Sequence, residues 1–180
     1  DILPLDPALS FLLLAMPAFH GGETKILGNW PGYGLWTQGL DMLRAIGLTL
    51  KEDRGQVVAI AEKGRGPNVN VTLPVENEAL LPLALALAMA ALSTGQEVRV
   101  RWDGHERLDV NTPAAFLDEA GVVWEREEDE WILSQWSENL EIVPWFAPDA
   151  AWSLGYVLAS FGRQGLRLSN PISVSTVAPH

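Results

Sequence analysis

Two pairs of glycines in this chain stand at the same distance from each other. Gly21 and Gly95 are 74 positions apart, and so are Gly47 and Gly121. A shared offset at two landmarks points to duplication of a long unit, too long for a short solenoid repeat. The segments around the glycines agree. Asp6-Pro7-Ala8-Leu9-Ser10-Phe11-Leu12-Leu13-Leu14 leads to Gly21-Gly22, and Asn77-Glu78-Ala79-Leu80-Leu81-Pro82-Leu83 runs on to Gly95. A third such segment, Asp149-Ala150-Ala151-Trp152-Ser153-Leu154, leads to Gly162 and Gly165. Each opens on Asp or Asn, whose side-chain oxygen can cap the free N–H groups of a helix start. Each closes near glycine, which accepts the left-handed conformation at a helix end. Pro7 suits the first helical position. Pro17 and Pro82 sit deeper and should kink or shorten their helices.

Alternating segments follow the helices: Glu23–Leu27, Glu97–Trp102 and Leu166-Arg167-Leu168. Their period of two predicts strands with one face buried. Leu40–Gly47 and Ala114–Gly121 then read as matching second helices, the latter capped by Asn111 or Thr112. Strand pairs follow, with turns at Arg54-Gly55 and at the acidic stretch Glu127–Glu130. Leading strands are expected at Val69–Leu73 and Leu140–Val143. The pattern predicts an α/β (α+β) domain of three βαβαββ-like units, spanning about residues 1–66, 67–134 and 135–180, with the apolar helices behind the sheets.

Composition narrows the function classes. With 180 residues, 48% hydrophobic and 19% charged, the chain can fill one core and reads as a single domain. It has no cysteine, which excludes disulfides, thiolate metal sites and a cysteine nucleophile. A reducing, cytoplasmic setting is expected. The net charge of −11 argues against nucleic acid, which requires clustered cations, and disfavours long-range steering of anionic metabolites. The longest uncharged apolar run, Ala79–Leu92, is too short to span a bilayer, and no membrane partner is expected. The start lacks the basic residues of a signal peptide. It also lacks a methionine, so the chain is expected to be a fragment of a longer protein.

The order and spacing of these units resemble the C-terminal lobe of the EPSP synthase (3-phosphoshikimate 1-carboxyvinyltransferase) family. Asp6–Gly47, with its Gly-Gly-Glu-Thr-Lys-Ile strand and Leu-Arg-Ala-Ile-Gly helix end, resembles the opening of that lobe. Glu76–Glu125 resembles its middle unit, and Phe146–Pro179, with Asn170-Pro171, its last. Enolpyruvyl transferases acting on nucleotide sugars share the fold and match less well. The resemblance implies a pseudo-threefold lobe with buried helices, and a missing N-terminal lobe as partner. It implies substrates in a cleft between the lobes, and transfer of the enolpyruvyl group of phosphoenolpyruvate to shikimate 3-phosphate in the shikimate pathway. Neither metal nor organic cofactor takes part in that reaction. The isolated lobe is expected to be inactive.

Carried over residue by residue, the resemblance implies few intact sites. The acidic base at the start of the middle helix falls on Asn77 or Glu78, and only Glu78 can take a proton. The Lys-Glu-Thr-Asp-Arg motif falls on His105-Glu106-Arg107-Leu108-Asp109. Glu106 is retained, His105 replaces the lysine, and Asp109 replaces the arginine, with Arg107 two positions away as a substitute. The Asp-His-Arg of the last helix reads Asp149-Ala150-Ala151, and the late lysine falls on Thr176. Glu106, Asp149 and Glu78 are the candidate catalytic groups, with His105, Arg107 and Asn77 as candidate substrate contacts. Two arginines and two lysines are replaced, and losing one charged partner of a buried anion costs roughly 1.5–3 kcal/mol. The alternative reading is therefore a catalytically degenerate module of this fold, used for binding or interaction.

Structural readings stand beside the functional ones. Asp149 reads as a helix cap, like Asp6 and Asn77. His20 reads as a dipole partner at a helix end. The three histidines lack metal-ligand spacing, and Glu125–Glu130 lacks the oxygen spacing of a calcium loop. The eight tryptophans include Trp30, Trp36, Trp102, Trp136, Trp145 and Trp152, near predicted element ends. They serve either core packing or a face for a partner or ligand, including a glycan.

Overall fold

The computed structural model describes residues 5–62, 72–92, 95, 97–105, 107–138 and 143–170. Asp6 Oδ1 accepts the Leu9 N–H at 2.9 Å and starts α1 (Pro7–Leu14), with Pro7 in its first turn. Pro17 has no N–H to continue that ladder, so a new turn, α2 (Pro17–His20), begins at it. Then come β1 (Gly22–Leu27), α3 (Leu35–Ala45), β2 (Thr49–Asp53) and β3 (Gln56–Ala61). These strands form an antiparallel sheet in the order β1-β3-β2.

The next stretch repeats the plan. It comprises β4 (Thr72–Val75), α4 (Leu81–Leu92), β5 (Val98–Trp102), α5 (Asn111–Ala120), β6 (Val122–Glu127) and β7 (Glu130–Trp136). The second sheet has the order β4-β5-β7-β6, so β5-β7-β6 reproduces β1-β3-β2. The added strand, β4, pairs parallel to β5. The landmark glycines match too. Gly21 and Gly95 have φ of 74° and 76°, and Gly47 and Gly121 have 102° and 70°, all in the region that side chains rarely enter.

A last helix, α6 (Ala150–Gly162), begins at Asp149, whose Oδ1 accepts the Trp152 N–H at 3.0 Å. It packs against α4, α1, α5 and α2. Gly155 permits the close α4 contact, since a Cβ there would lie 3.2 Å from the Pro82 carbonyl oxygen. All twelve residues of α4 are buried, between α6 on one side and β4, β5 and β7 on the other. The helices thus form the interior, as the sequence pattern predicts.

Several boundaries differ from the expectation. Of the two effects expected of Pro82, the helix is shortened and not kinked. The helix starts one residue before it, and Glu78–Leu80 forms a 3-10 turn instead. Asn77 Oδ1 caps that turn through the Ala79 N–H at 3.0 Å. The described part of the expected Val69–Leu73 strand is shifted to Thr72–Val75, and residues 69–71 lie outside the described residues. In the last unit, residues 140–142 also lie outside them. There, among the described residues, the strand pairing is a single parallel bridge between Trp145 and Leu168, so Leu166–Leu168 is not a strand of its own. Asn170 braces it, donating to the Ala147 carbonyl at 2.8 Å and accepting its N–H at 3.1 Å.

Most tryptophans are packing groups. Trp36, Trp131, Trp145 and Trp152 are buried, and Trp145 and Trp152 meet Phe116 edge to face. Trp30 and Trp136 are half-buried against the core.

Candidate functional site

The parallel strands β4 and β5 end side by side, and the chain leaves both in the same direction. After Val75 come Glu76, Asn77 and Glu78, which feed α4; after Trp102 comes the loop to α5. The Asp103 N–H donates to the Val75 carbonyl at 2.8 Å and holds the two exits together. Between them is an open cleft of about 410 Å³, lined by Glu76, Asn77, Glu78, Trp102 and His105. Three of the residues expected from sequence, Asn77, Glu78 and His105, meet here.

Each wall has a local cause. Asn77 is engaged as a cap through Oδ1, which leaves its amide nitrogen as its donor. Glu76 is held from the first unit, because Gln38 on α3 donates to its Oε2 at 2.7 Å. The Trp102 indole is folded back over Gly104, where a Cβ would lie 2.1 Å from the ring atom Cζ2. Only glycine leaves room for that posture.

The two arginines of β5 are committed elsewhere. Arg101 donates twice to Asp103, at 2.7 and 2.9 Å, and this hydrogen bonding holds the Asp103 carboxyl below its ordinary range. Arg99 pairs with Glu97 and Glu130, each at 3.1 Å. Among the described residues, neither lysine nor arginine lines the cleft. The polar side chains of its described lining are two glutamates, an amide, an imidazole and the indole N–H of Trp102. That set accepts hydrogen bonds from hydroxyl or ammonium groups and repels phosphate.

The other expected site residues are not brought here. Arg107 lies across Trp102, in a neighbouring cleft. Asp149 is the cap of α6 and does not line this cleft. Glu106 and Thr176 lie outside the described residues. Asp109, in place of an arginine, has a structural task. Its carboxylate accepts the Asn111 N–H at 3.0 Å and the Thr112 hydroxyl at 3.0 Å, and these bonds, the backbone one first, lower its pKa. It therefore supports the start of α5, where the sequence pointed to Asn111 or Thr112 as the cap. His20 ends α2 as expected, with Nδ1 2.7 Å from the Gly21 carbonyl oxygen, and its ring also meets Phe161 edge to face. Sequence reasoning missed Glu76 and Gln38. The signal for Glu76 was its place directly after an alternating apolar run.

Among the described residues, no group of three His, Asp or Glu side chains could hold a metal ion. No helix among them is long and apolar enough to cross a membrane. No protein-family model and no curated protein matches the sequence. Solved structures do match. The EPSP synthase from Acinetobacter baumannii superposes with a TM-score of 0.61 at 17% identity, covering 89% of this chain and 38% of that one. The enolpyruvyl transferase NikO from Streptomyces tendae gives 0.59 at 14% identity, covering 89% of this chain and 37% of that one. The chain thus spans well under half the length of the proteins it matches. Across that span it has the EPSP synthase-like fold, built of helix–strand units around buried helices.

Proposed function

We propose that this chain is a single EPSP synthase-type C-terminal lobe, with units at about residues 1–66, 67–134 and 135–180. We propose further that it acts as a binding lobe rather than as the phosphoenolpyruvate-handling half of a transferase. One observation carries this reading: among the described residues, the cleft at the ends of β4 and β5 holds Glu76 and Glu78 and neither lysine nor arginine. Among the described residues, an anion placed there would meet two carboxylates and gain as side-chain donors the Asn77 amide, the His105 imidazole and the Trp102 indole N–H, none of them a lysine or arginine. A neutral, hydroxyl-rich or cationic small molecule fits better, with Trp102 as its apolar wall. Calorimetry of the chain with phosphoenolpyruvate tests this. No heat of binding is expected, and micromolar affinity would refute the reading.

A second reading rests on the likeness to two kinds of enolpyruvyl transferase. In it, a partner lobe supplies the cations, and the pair transfers the enolpyruvyl group of phosphoenolpyruvate to shikimate 3-phosphate in the cytoplasmic shikimate pathway. Glu78 and Glu106 would exchange protons, Asp149 would assist, and His105, Arg107 and Asn77 would contact substrate. Phosphate release by the full-length protein with both substrates is the measurement. Turnover above background would favour this reading over the first.

A further inference from the structure

Four arginines of the described residues are held by partners within the fold. Arg44 pairs with Asp41 and Glu52, Arg99 with Glu97 and Glu130, and Arg101 with Asp103. Arg163 donates to the carbonyls of Gly121 and Ser137. Lys25, Lys51, Arg54, Arg167, Arg107 and Arg126 are not paired in this way, and of these Arg107 and Arg126 share a cleft. Neither makes an ion pair with a described residue, and both line one cleft of about 400 Å³, on the far side of Trp102 from the glutamates.

Each part of that cleft is positioned by the fold. Arg126 stands on β6 opposite Trp131 on β7, and its guanidinium carbon lies 5.4 Å from the centre of the Trp131 ring. Trp131 is fully buried, so the stacked guanidinium rests on a fixed platform. Arg107 is carried by the short segment that ends at Asp109, the support of α5. The Trp102 indole supplies a flat wall, and half-buried Leu108 and Val110 supply apolar contact. Asp129 also lines the space, and its main-chain carbonyl accepts the Trp102 N–H at 2.8 Å.

Among the described residues that line the cleft, two guanidinium groups and one carboxylate sum to a single positive charge. That suits a monoanion better than a phosphate dianion, which Asp129 would oppose. Guanidinium groups match the planar geometry of a carboxylate, and the indole matches a flat apolar ring. We propose that this second cleft binds a planar aromatic monocarboxylate, its carboxylate between Arg107 and Arg126 and its ring against Trp102. The site is separate from the cleft of the preceding section and does not depend on the function proposed for it.

The test is calorimetric titration of the chain at low ionic strength with benzoate, with benzamide and inorganic phosphate as controls. Saturable one-to-one benzoate binding is expected, with each control weaker by about tenfold or more. Arg107→Ala and Arg126→Ala should each weaken benzoate by about tenfold while far-UV circular dichroism is unchanged. Arg126→Lys should recover only part of the loss, because an ammonium keeps the charge and loses the planar fork. If either alanine variant misfolds, the other and the lysine variant still decide. The proposal is overturned if benzoate gives no saturable heat, if benzamide or phosphate binds as tightly, or if folded arginine variants bind benzoate unchanged.

Discussion

The sheet containing β1 and the sheet containing β5 follow one plan, yet the chain closes them differently. Beyond β1 the next residue is Gly28, and Leu5 sits on it so closely that a Cβ would lie 2.3 Å from the leucine Cδ1. Seventy-four positions later the equivalent residue is Trp102, whose side chain walls two clefts. Among the described residues, the first sheet has three strands and the second has four, with β4 laid parallel on β5. Backbone features, the glycines and the strand order, are what the two copies share. The clefts arise where the copies diverge.

The strongest way to break this comparison is through the helices. Helix α4 is buried on every residue, whereas α1 leaves Leu13 41% exposed. Leu85→Ala, in the middle of α4, should cost about 2–5 kcal/mol. Leu13→Ala should cost under about 1 kcal/mol, since little apolar surface is removed from the core. Chemical denaturation of the two variants measures both. Equal losses would mean that α4 is not the central element.

Helix α6 differs from α1 and α4 in carrying a titratable group. Tyr156 is 2% exposed, and its hydroxyl donates to the Glu119 carbonyl at 3.0 Å. Burial first, and the charge of Glu119 second, push its pKa up from 10.0 to about 12. A folded value above the unfolded one gives stability that is complete below pH about 10 and lost as pH rises toward 12. The full loss is of order 2–3 kcal/mol. In Tyr156→Phe the stability between pH about 10 and 12 should fall less steeply than in the parent chain. An unchanged slope would show that the phenol is not held neutral by its surroundings.

Much of this architecture was legible because the sequence signals are local. Asp6, Asn77 and Asp149 cap as expected, since each needs only N–H groups two or three residues away. Alternation marked β1 and β5, and the glycine offset marked their common plan. The last unit was misjudged at Leu166–Leu168. Three residues show an alternating pattern, but a ladder depends on partner strands that local pattern does not reveal. The candidate site was less legible. Sequence position pointed to Asn77, Glu78 and His105, but the pairing of β4 with β5 is what brings them together, along with Glu76 and Trp102. Asp109 showed the opposite limit. Read as a lost arginine it implied only absence, whereas the fold uses it beneath α5.

The glycine pairs give a narrower test of the same comparison. Gly47→Ala and Gly121→Ala each force a side chain into a left-handed conformation, at φ of 102° and 70°. Each should lose about 1–2 kcal/mol in denaturation. Gly121, nearer the ordinary left-handed basin, should lose less. If one substitution were neutral, the two landmarks would not be doing the same job despite their shared offset.

The caps separate structure from chemistry at the smallest scale. Asp149 is the residue for which the sequence resemblance implies an acid for catalysis, yet it bonds as Asp6 does. Oδ1 of each accepts an N–H three residues on, at 3.0 and 2.9 Å. Asparagine caps about as well as aspartate, whereas alanine cannot cap, so Asp→Ala should cost roughly 0.5–2 kcal/mol and Asp→Asn almost nothing. Denaturation midpoints for the four variants at Asp6 and Asp149 test this. Matching behaviour at both sites would assign Asp149 to helix capping. If Asp149→Asn alone changed stability by as much as Asp149→Ala, its negative charge would be acting on something other than the first turn of α6, and the reading of Asp149 as one of two equivalent caps would fail.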